Sequence, residues 1–329
     1  MFRWESALSF SLPETAQTTN LLQYTLPKLR ALTQAQLITW VGQARPHAAS
    51  GQLPEYIPLL AKANSQWLGV SVQREDGQTF AIGEVRRSFP LMSVIKPFVL
   101  LFLLEQLGKA AVFERVGMEP SEQSFHSIAQ LINDRGFPRN PMINSGAIAL
   151  ADLLPGATGT ERCATLQRWL NERSKSRWSL DTAMLASVQS LDNQANRSLA
   201  QLLAQSGHLD SVELALDTYN HICCLSGTAS DLSRLGLLLA QPQPNIAPQH
   251  QQIVNALMLT CGLYEASGRY AVRVGLPMKS GVSGALLAVV PGEGTIACYS
   301  PALDGAGNSI AGLFLLEQLA QGLGLSVFS

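Results

Sequence analysis

The sequence predicts an α/β protein whose antiparallel sheet is built from both ends of the chain, around a central all-helical lobe. Apolar, β-branched segments flank Asp76-Gly77, a dipeptide typical of tight hairpins. Helical periodicity prevails from Ser93 to about residue 260, and strand patterns return over 270–301. Because strands flank the helical block in sequence, the sheet has to draw on both ends of the chain.

Composition narrows the class of protein. The chain has 329 residues, of which 47% are hydrophobic and 14% charged, as in a compact globular protein. The net charge of -1 gives no electrostatic basis for binding nucleic acid or anionic lipid. The longest apolar run, "FVLLFLL", is too short to span a bilayer. We therefore expect neither nucleic acid nor a membrane as a partner.

Cysteine usage and the first residues indicate the compartment. The five cysteines are odd in number and lack the spacing of a zinc site, which favours reduced thiols. The opening "MFRWESALSFSLPETAQTTN" has no continuous apolar stretch followed by a cleavage site, so no secretory signal is expected. We expect a cytoplasmic protein that holds no metal.

The chain divides into an extension and one domain. Residues 1–45 are predicted to be a polar N-terminal extension with a short helix, and residues 46–329 a single domain. Within that domain, a sheet lobe would comprise 46–92 and 265–329, and a helical lobe 93–264. The short helix should bury one apolar face, composed of Leu32, Leu37, Ile38 and Val41.

Ser93 and Lys96 form the first motif that carries chemistry. Residues three apart share a helical face, and Pro97 suits the first turn of a helix. A serine hydroxyl becomes nucleophilic when a base takes its proton, and a lysine can be that base when burial or a second cation lowers its pKa. A capping serine beside a surface lysine is the common alternative for an isolated Ser-x-x-Lys.

A second motif, Lys279-Ser280-Gly281, heads a predicted strand late in the chain. Ser-x-x-Lys followed by a strand-borne Lys-Ser-Gly is the arrangement of penicillin-binding proteins and β-lactamases. The backbone N–H beyond the glycine could form an oxyanion hole with the N–H of Ser93. The two motifs together predict a β-lactamase/penicillin-binding-like fold.

Longer segments strengthen this interpretation. "NPMINSGAI" (140–148), "LTCGLYEASGRYAVRVGLPMKSGVSG" (259–284) and "SPALDGAGNSIAG" (300–312) resemble the serine-dependent glutaminases. The resemblance runs from about residue 50 to 325. It implies a β-lactamase-like fold and hydrolysis of glutamine to glutamate and ammonia. It also implies no metal or organic cofactor, a small-molecule amide as substrate, and a homo-oligomer, either a dimer or a tetramer.

The resemblance assigns roles to individual residues. It makes Ser93 the nucleophile, Lys96 the general base, Tyr264 a proton relay and Val282 an oxyanion-hole residue. Lys279 would hold Lys96 toward its neutral form. Positions that would contact the substrate are Tyr56, Asn144, Tyr219 and Ser198. For each tyrosine, the alternative is a half-buried residue of the core.

The chain departs from the family pattern at the pocket for the free amino acid. Met92 replaces a glutamine, Leu191 a glutamate and Ser198 an asparagine. Asp192 comes one place after Leu191 and, on a helix, would point about 100° away from it. A buried ammonium without an anionic partner costs several kcal/mol. These changes therefore bear on whether the pocket can bind the α-ammonium of free glutamine.

Three functions remain open from the sequence. The first is a glutaminase in which another carboxylate, Asp192, Asp217 or Glu265, takes the ammonium. The second is a Ser–Lys amidase of the same fold that acts on an amide lacking a free α-ammonium. The third is a non-catalytic binding member of the family, which the retained motifs disfavour.

Overall fold

A computed structural model describes residues 28–329, so most of the predicted N-terminal extension lies outside the described residues. Within that range the helices are α1 (Gln34–Ala44), α2 (Lys96–Arg115), α3 (Ile128–Asn133), α4 (Asn144–Asp152), α5 (Gly159–Ser174), α6 (Thr182–Gln189), α7 (Gln194–Gln205), α8 (Val212–Cys223), α9 (Ala229–Ala240), α10 (Pro248–Cys261), α11 (Ser267–Arg273) and α12 (Ile310–Leu323). The strands are β1 (Gly69–Arg74), β2 (Thr79–Gly83), β3 (Phe89–Pro90), β4 (Ser179–Leu180), β5 (Leu225–Gly227), β6 (Met278–Ser280), β7 (Ala285–Val290) and β8 (Gly294–Tyr299).

The main sheet confirms that the two ends of the chain meet. Its five strands are antiparallel in the order β2-β1-β8-β7-β6. β1 pairs with β8 from Gly69 opposite Tyr299 to Arg74 opposite Gly294. The predicted hairpin joins β1 to β2, and Gly77 in its turn has φ 88°, a conformation that glycine adopts without steric cost. This central pairing therefore depends on residues more than two hundred positions apart.

Helices fill the middle of the chain as predicted, with a three-stranded sheet, β3-β5-β4, among them. The prediction that strands return at residue 270 is wrong, because Tyr270–Arg273 belong to α11 and the first strand begins at Met278. Tyr270, Ala271 and Val272 form an apolar run typical of a strand, yet Val272 is 88% exposed. The helix α11 has seven residues, fewer than the window over which helical periodicity can be detected. None of the helices in residues 28–329 is long and apolar enough to cross a membrane.

Two hydrophobic clusters pack on opposite faces of the main sheet. Along β7, Ala285, Leu287 and Val289 join the cluster of the helical block, whereas the alternate residues join a cluster that includes α1 and α12. This period of two is expected of a strand buried on both faces. On α1, Leu37 and Val41 are buried as predicted, but Ile38 is 53% exposed because the contact with α12 covers only a narrow stripe.

Candidate active site

A change of helix type positions Ser93 and Lys96. After β3, Met92–Ile95 form one 3₁₀ turn that leads directly into α2, and Pro97 lies in the first turn of α2. A 3₁₀ helix has about three residues per turn, so side chains three apart eclipse one another. The turn therefore places the two side chains on one face, in agreement with the Ser-x-x-Lys spacing.

Backbone strain accompanies this turn. Met92 has φ 44° and Tyr264 has φ 57°, a left-handed conformation that residues other than glycine avoid. Each such residue costs about 1–3 kcal/mol and persists only where the surrounding packing enforces it. Both residues are buried, at 5% exposure each. The two strained residues are therefore neighbours of Ser93, Met92 in sequence and Tyr264 in space.

The side chain of Lys96 is buried, and its environment favours the neutral amine. It is 2% exposed, and burial lowers the pKa of its ammonium from 10.5 to about 7. Its Nζ donates to the Met142 carbonyl at 3.1 Å and to Asn144 Oδ1 at 2.8 Å. A neutral amine has two N–H donors and one lone pair. Because the two acceptors take both donors, the lone pair of Lys96 is left to accept a proton.

Lys279 is the second buried lysine, at 0% exposure. Its Nζ donates to the Ser280 carbonyl at 2.7 Å and lies 4.3 Å from the ring centroid of Tyr264. Burial, and secondarily the charge of Lys96, hold the pKa of Lys279 well below its usual value. For Lys96 burial is the leading cause. Burial therefore disfavours the charged form of Lys279, which weakens the hypothesis that its charge lowers the pKa of Lys96.

Tyr264 is a proton donor in this arrangement. Its phenol donates to the Ser280 carbonyl at 3.3 Å, and its ring packs on Phe125 at 4.6 Å between centroids. Burial raises the pKa of Tyr264, and hydrogen bonding with the Ser93 side chain only partly offsets this rise. The phenol therefore keeps its proton at neutral pH and lies beside Ser93, as expected of a group that relays protons.

Two backbone N–H groups meet beside Ser93. Val282 follows Gly281 in the turn between β6 and β7, and a Cβ built on Gly281 would lie 3.4 Å from the Ser93 nitrogen. Among residues 28–329, no acceptor binds the N–H of Ser93 or of Val282. Unpaired, converging donors of this kind can bind an oxyanion.

A cavity of about 480 Å³ opens onto Ser93. Of the predicted positions it is lined by Tyr56, Ser93, Asn144, Tyr219 and Val282. Tyr56 is 58% exposed and stands at the rim, whereas Tyr219 is buried. Asn144 Oδ1 accepts from the Tyr219 phenol at 3.1 Å as well as from Lys96. The cavity therefore brings the nucleophile together with four of the other predicted residues.

Among the predicted substrate-binding residues Ser198 does not line the cavity, and of the predicted catalytic residues Lys96 and Tyr264 lie behind its wall. Asn196 does line it, and its Oδ1 accepts from the Asn144 Nδ2 at 2.9 Å. Asn196 lies one turn after Asn193, the N-cap of α7, and is buried. Sequence reasoning missed Asn196 because it placed the asparagine after Arg197, whereas this chain has an asparagine before it.

The segment between α6 and α7 also differs from its prediction. Leu191 and Asp192 lie in a non-helical connection, so the angle expected of neighbours on a helix does not apply. Both residues line the cavity. Among the described residues, Asp192 is the one carboxylate in its wall, because Asp217 and Glu265 lie elsewhere.

A buried polar pair, which sequence reasoning did not connect, supports the β6 end of the site. Asn308 is 0% exposed, and its Oδ1 accepts from the Ser280 hydroxyl at 2.5 Å. The Ser280 carbonyl is the acceptor shared by Lys279 and Tyr264. Asp304, by contrast, is a turn residue, because its Oδ1 accepts from the N–H groups of Ala306 and Asn308.

The fold and this site define a class of protein. An antiparallel sheet with a helical block, a Ser-x-x-Lys turn at the start of a buried helix and a Lys-Ser-Gly strand facing it are typical of β-lactamase-like serine hydrolases.

Comparisons with known proteins give the family within this class. The sequence profile of the glutaminase family matches residues 51–328. A glutaminase from Synechocystis sp. is 44% identical over 294 residues, which cover 89% of this chain and 90% of that relative. A crystal structure of a probable glutaminase from Bacillus subtilis is similar with a TM-score of 0.83 at 34% identity, over 90% of this chain and 97% of its own.

A further solved structure contains a covalently bound ligand. It is a covalent complex between the Bacillus subtilis glutaminase YbgJ and 5-oxo-L-norleucine, formed by reaction with 6-diazo-5-oxo-L-norleucine. This structure is similar with a TM-score of 0.81 at 35% identity, over 90% of this chain and 99% of its own. The chain belongs to the glutaminase family. The predicted family, hydrolase class and β-lactamase-like fold are confirmed.

Proposed function

We propose that this protein hydrolyses L-glutamine to L-glutamate and ammonia through an acyl-enzyme on Ser93. The observation that carries the proposal is the state of Lys96, a buried amine with a pKa of about 7 whose two N–H donors are occupied. Such a lysine has no structural use for its lone pair, and Ser93 shares its helical face. The family membership supports the substrate.

The acylation step follows from these contacts. Lys96 accepts the proton of Ser93 while the hydroxyl oxygen attacks the γ-amide carbon of glutamine. The oxygen of the tetrahedral intermediate is bound by the N–H groups of Ser93 and Val282. Tyr264 passes a proton to the departing ammonia and recovers one from Lys96, since the phenol holds its proton at neutral pH.

Deacylation uses the same groups in reverse. Water enters the position that ammonia leaves, gives a proton to Lys96 and attacks the carbonyl carbon of the Ser93 ester. As the bond to the Ser93 oxygen breaks, Lys96 returns the proton to that oxygen and glutamate is released. The burial that disfavours a charge on Lys279 favours both steps, because a second charge beside Lys96 would oppose its protonation. No proton-accepting role falls to a metal or an organic cofactor in this scheme.

For substrate binding, we propose that Asp192 binds the α-ammonium and that the amides of Asn144 and Asn196 orient the α-carbon substituents. Asp192 is the carboxylate that the described cavity wall offers. Asn196 uses its oxygen for Asn144, so its NH₂ group is left to donate to the α-carboxylate. Tyr56 at the rim and Tyr219 in the wall complete the predicted contacts, and Ser198 takes no part.

The experiment measures ammonia release from L-glutamine by the full chain and by Ser93→Ala. We expect Ser93→Ala to lose at least about 10⁴-fold in kcat. Ser50→Ala, at an exposed serine far from the cavity in sequence, should retain full activity and controls for the substitution. A fully active Ser93→Ala would refute the nucleophile assignment.

A second readout separates binding from chemistry. Incubation with 6-diazo-5-oxo-L-norleucine, followed by mass spectrometry of the peptide that contains Ser93, should show a covalent adduct that Ser93→Ala lacks. Absence of turnover and of adduct in a folded protein would instead support a non-catalytic binding member of the family.

Assembly, location and domain boundaries complete the proposal. We propose a cytoplasmic homo-oligomer, a dimer or a tetramer, with residues 46–329 as one glutaminase-like domain. The five cysteines are buried free thiols, consistent with a reducing compartment. Light scattering coupled to size-exclusion chromatography should give a mass of two or four times the 35.4 kDa chain, and a monomer at micromolar concentration would contradict it.

A further inference from the structure

One side of the cavity is an apolar wall formed by Ile57, Met92, Val188 and Leu191. The first three are buried, with exposures of 5–9%. The Leu59 N–H donates to the Ser187 hydroxyl at 3.2 Å, which joins the segment carrying Ile57 to the end of α6. This bond makes the wall continuous from two distant parts of the chain.

The free volume of the cavity lies at the amino-acid end of the substrate. Lys96, Lys279 and Tyr264, which surround the departing nitrogen in the proposed mechanism, do not contribute to the cavity wall and are buried. A substituent on the amide nitrogen would therefore collide with packed side chains. Room remains on the other side, where residues 188–196 form the wall.

Charge favours a neutral α-nitrogen against this wall. Asp192 is the carboxylate of the described wall, and it is exposed to solvent, so water already satisfies its charge. Its attraction for an ammonium is correspondingly weak. An α-nitrogen in an amide bond carries no charge to desolvate, and an acyl chain attached to it would gain free energy by contact with the apolar wall.

We propose that this enzyme also hydrolyses the γ-amide of glutamine whose α-nitrogen carries a short acyl chain. This proposal rests on the acyl-enzyme mechanism proposed above. Ser93 forms an ester with the γ-carbonyl as the C–N bond breaks and ammonia leaves with a proton; water then cleaves the ester. The products are one ammonia and one N-acylglutamate, and the α-amide bond stays intact. Met92 and Leu191 are the specificity-determining residues.

The test compares ammonia release from L-glutamine with release from its N-acetyl, N-butanoyl and N-hexanoyl derivatives. We expect kcat/KM to rise about two- to fourfold per added methylene, mainly through KM, because each buried methylene contributes transfer free energy. Mass spectrometry of the product should show N-acylglutamate. Release of the free fatty acid instead would overturn the proposed orientation.

A matched pair of variants tests whether the preference for N-acyl derivatives depends on the apolar wall. Leu191→Glu adds a carboxylate to the cavity, and Val272→Glu adds one at a position that is 88% exposed on α11. Leu191→Glu should lower the ratio of kcat/KM for N-hexanoylglutamine to that for glutamine by at least about tenfold, since the acyl chain would then meet a charge. Val272→Glu should leave that ratio unchanged.

The outcomes distinguish this proposal from the proposed function. Turnover of glutamine without turnover of any N-acyl derivative would overturn the acyl subsite and leave the glutaminase intact. Turnover of N-acyl derivatives alone would support the subsite while refuting glutamine as the substrate. An equal loss of the ratio in both carboxylate variants would also overturn the subsite, because the effect would not depend on the wall.

Discussion

Lys96 shows how a single residue is made reactive at a cost in stability. Its amine is buried among neutral groups, and among the described residues no carboxylate pairs with it. Its pKa falls from 10.5 to about 7, so folding disfavours the ammonium. Because the unfolded chain binds more protons between these two values, stability rises with pH across this window. The loss of stability caused by burying the ammonium is complete below about pH 7 and absent above pH 10.5.

Replacing this lysine by an apolar residue should therefore stabilise the protein while abolishing activity. We expect Lys96→Met to raise the free energy of unfolding at neutral pH by about 1–4 kcal/mol, as for other buried charges replaced by apolar groups. Urea denaturation measures this change. Lys109→Met, at an exposed lysine of the same helix, should change stability by less than about 0.5 kcal/mol. A destabilised Lys96→Met would show that the hydrogen bonds to Met142 and Asn144 outweigh the burial cost.

The pH dependence of catalysis tests the role of Lys279. Lys96 must be neutral to accept the Ser93 proton, so kcat/KM should rise with pH and level off above an apparent pKa of about 7. Because burial is the leading cause of that low pKa, we expect Lys279→Met to move the midpoint by less than one pH unit. An upward shift of two units or more would show that Lys279 carries a charge that acts on Lys96.

At the scale of elements, the site depends on close contact between the β6–β7 turn and the 3₁₀ turn of Ser93. Gly281 has no positive φ, so its backbone would accept alanine. Its Cβ, however, would lie 2.8 Å from the Leu91 carbonyl oxygen and 3.2 Å from Val94 Cγ2. The Leu91 carbonyl cannot yield without moving the backbone beside Ser93, so glycine is needed at this position for space.

Gly281→Ala should consequently lower kcat more than stability. Displacing the oxyanion donors by a fraction of an ångström relative to Ser93 should cost about tenfold or more in kcat. The control is Gly268→Ala on α11, where an added Cβ meets nothing within 4 Å and kcat should not change. Steady-state kinetics of both variants, with thermal melts to verify folding, would contradict the argument if both kept full kcat.

Across the whole molecule, the helical block and the sheet share one core. α9 packs across β1, β7 and β8, and the larger hydrophobic cluster contains residues of both the helices and the sheet. Unfolding either part alone would expose this shared surface to water, and the free-energy cost would be about 25 cal/mol for each Å² of apolar area. The site lies where the two parts meet, since β6 and β7 of the main sheet contact the 3₁₀ turn of Ser93.

Cooperative unfolding should follow from the shared core. In native-state hydrogen exchange, we expect the amide protons of β7 and of α9 to exchange through the same opening of the structure. The free energies of opening for the two segments should lie within about 1 kcal/mol of each other. Mass spectrometry of peptides from the two segments, at rising urea concentration, measures both. Early release of α9 while β7 stays protected would mean that the helical block unfolds as a separate unit.

Sequence alone was sufficient for features that depend on neighbours in the chain. The hairpin at Asp76-Gly77 and the helices of the central block follow from local turn chemistry and periodicity. The motif around Ser93 and Lys96 is equally local, because a spacing of three residues already fixes a shared face. The pairing of β1 with β8 was accessible as well, since strands at both chain ends needed partners.

Tertiary structure decided the features that depend on distant residues. Asn196 rather than Ser198 lines the cavity because the N-cap of α7 sets where that helix begins. Asp192 reaches the cavity because its segment is a connection and not a helix. The pKa of Lys279 is lowered by burial and, secondarily, by the charge of Lys96, which lies 183 positions earlier in the chain. Burial and charge coupling of this kind arise only when the chain is folded, so no local sequence pattern predicts them.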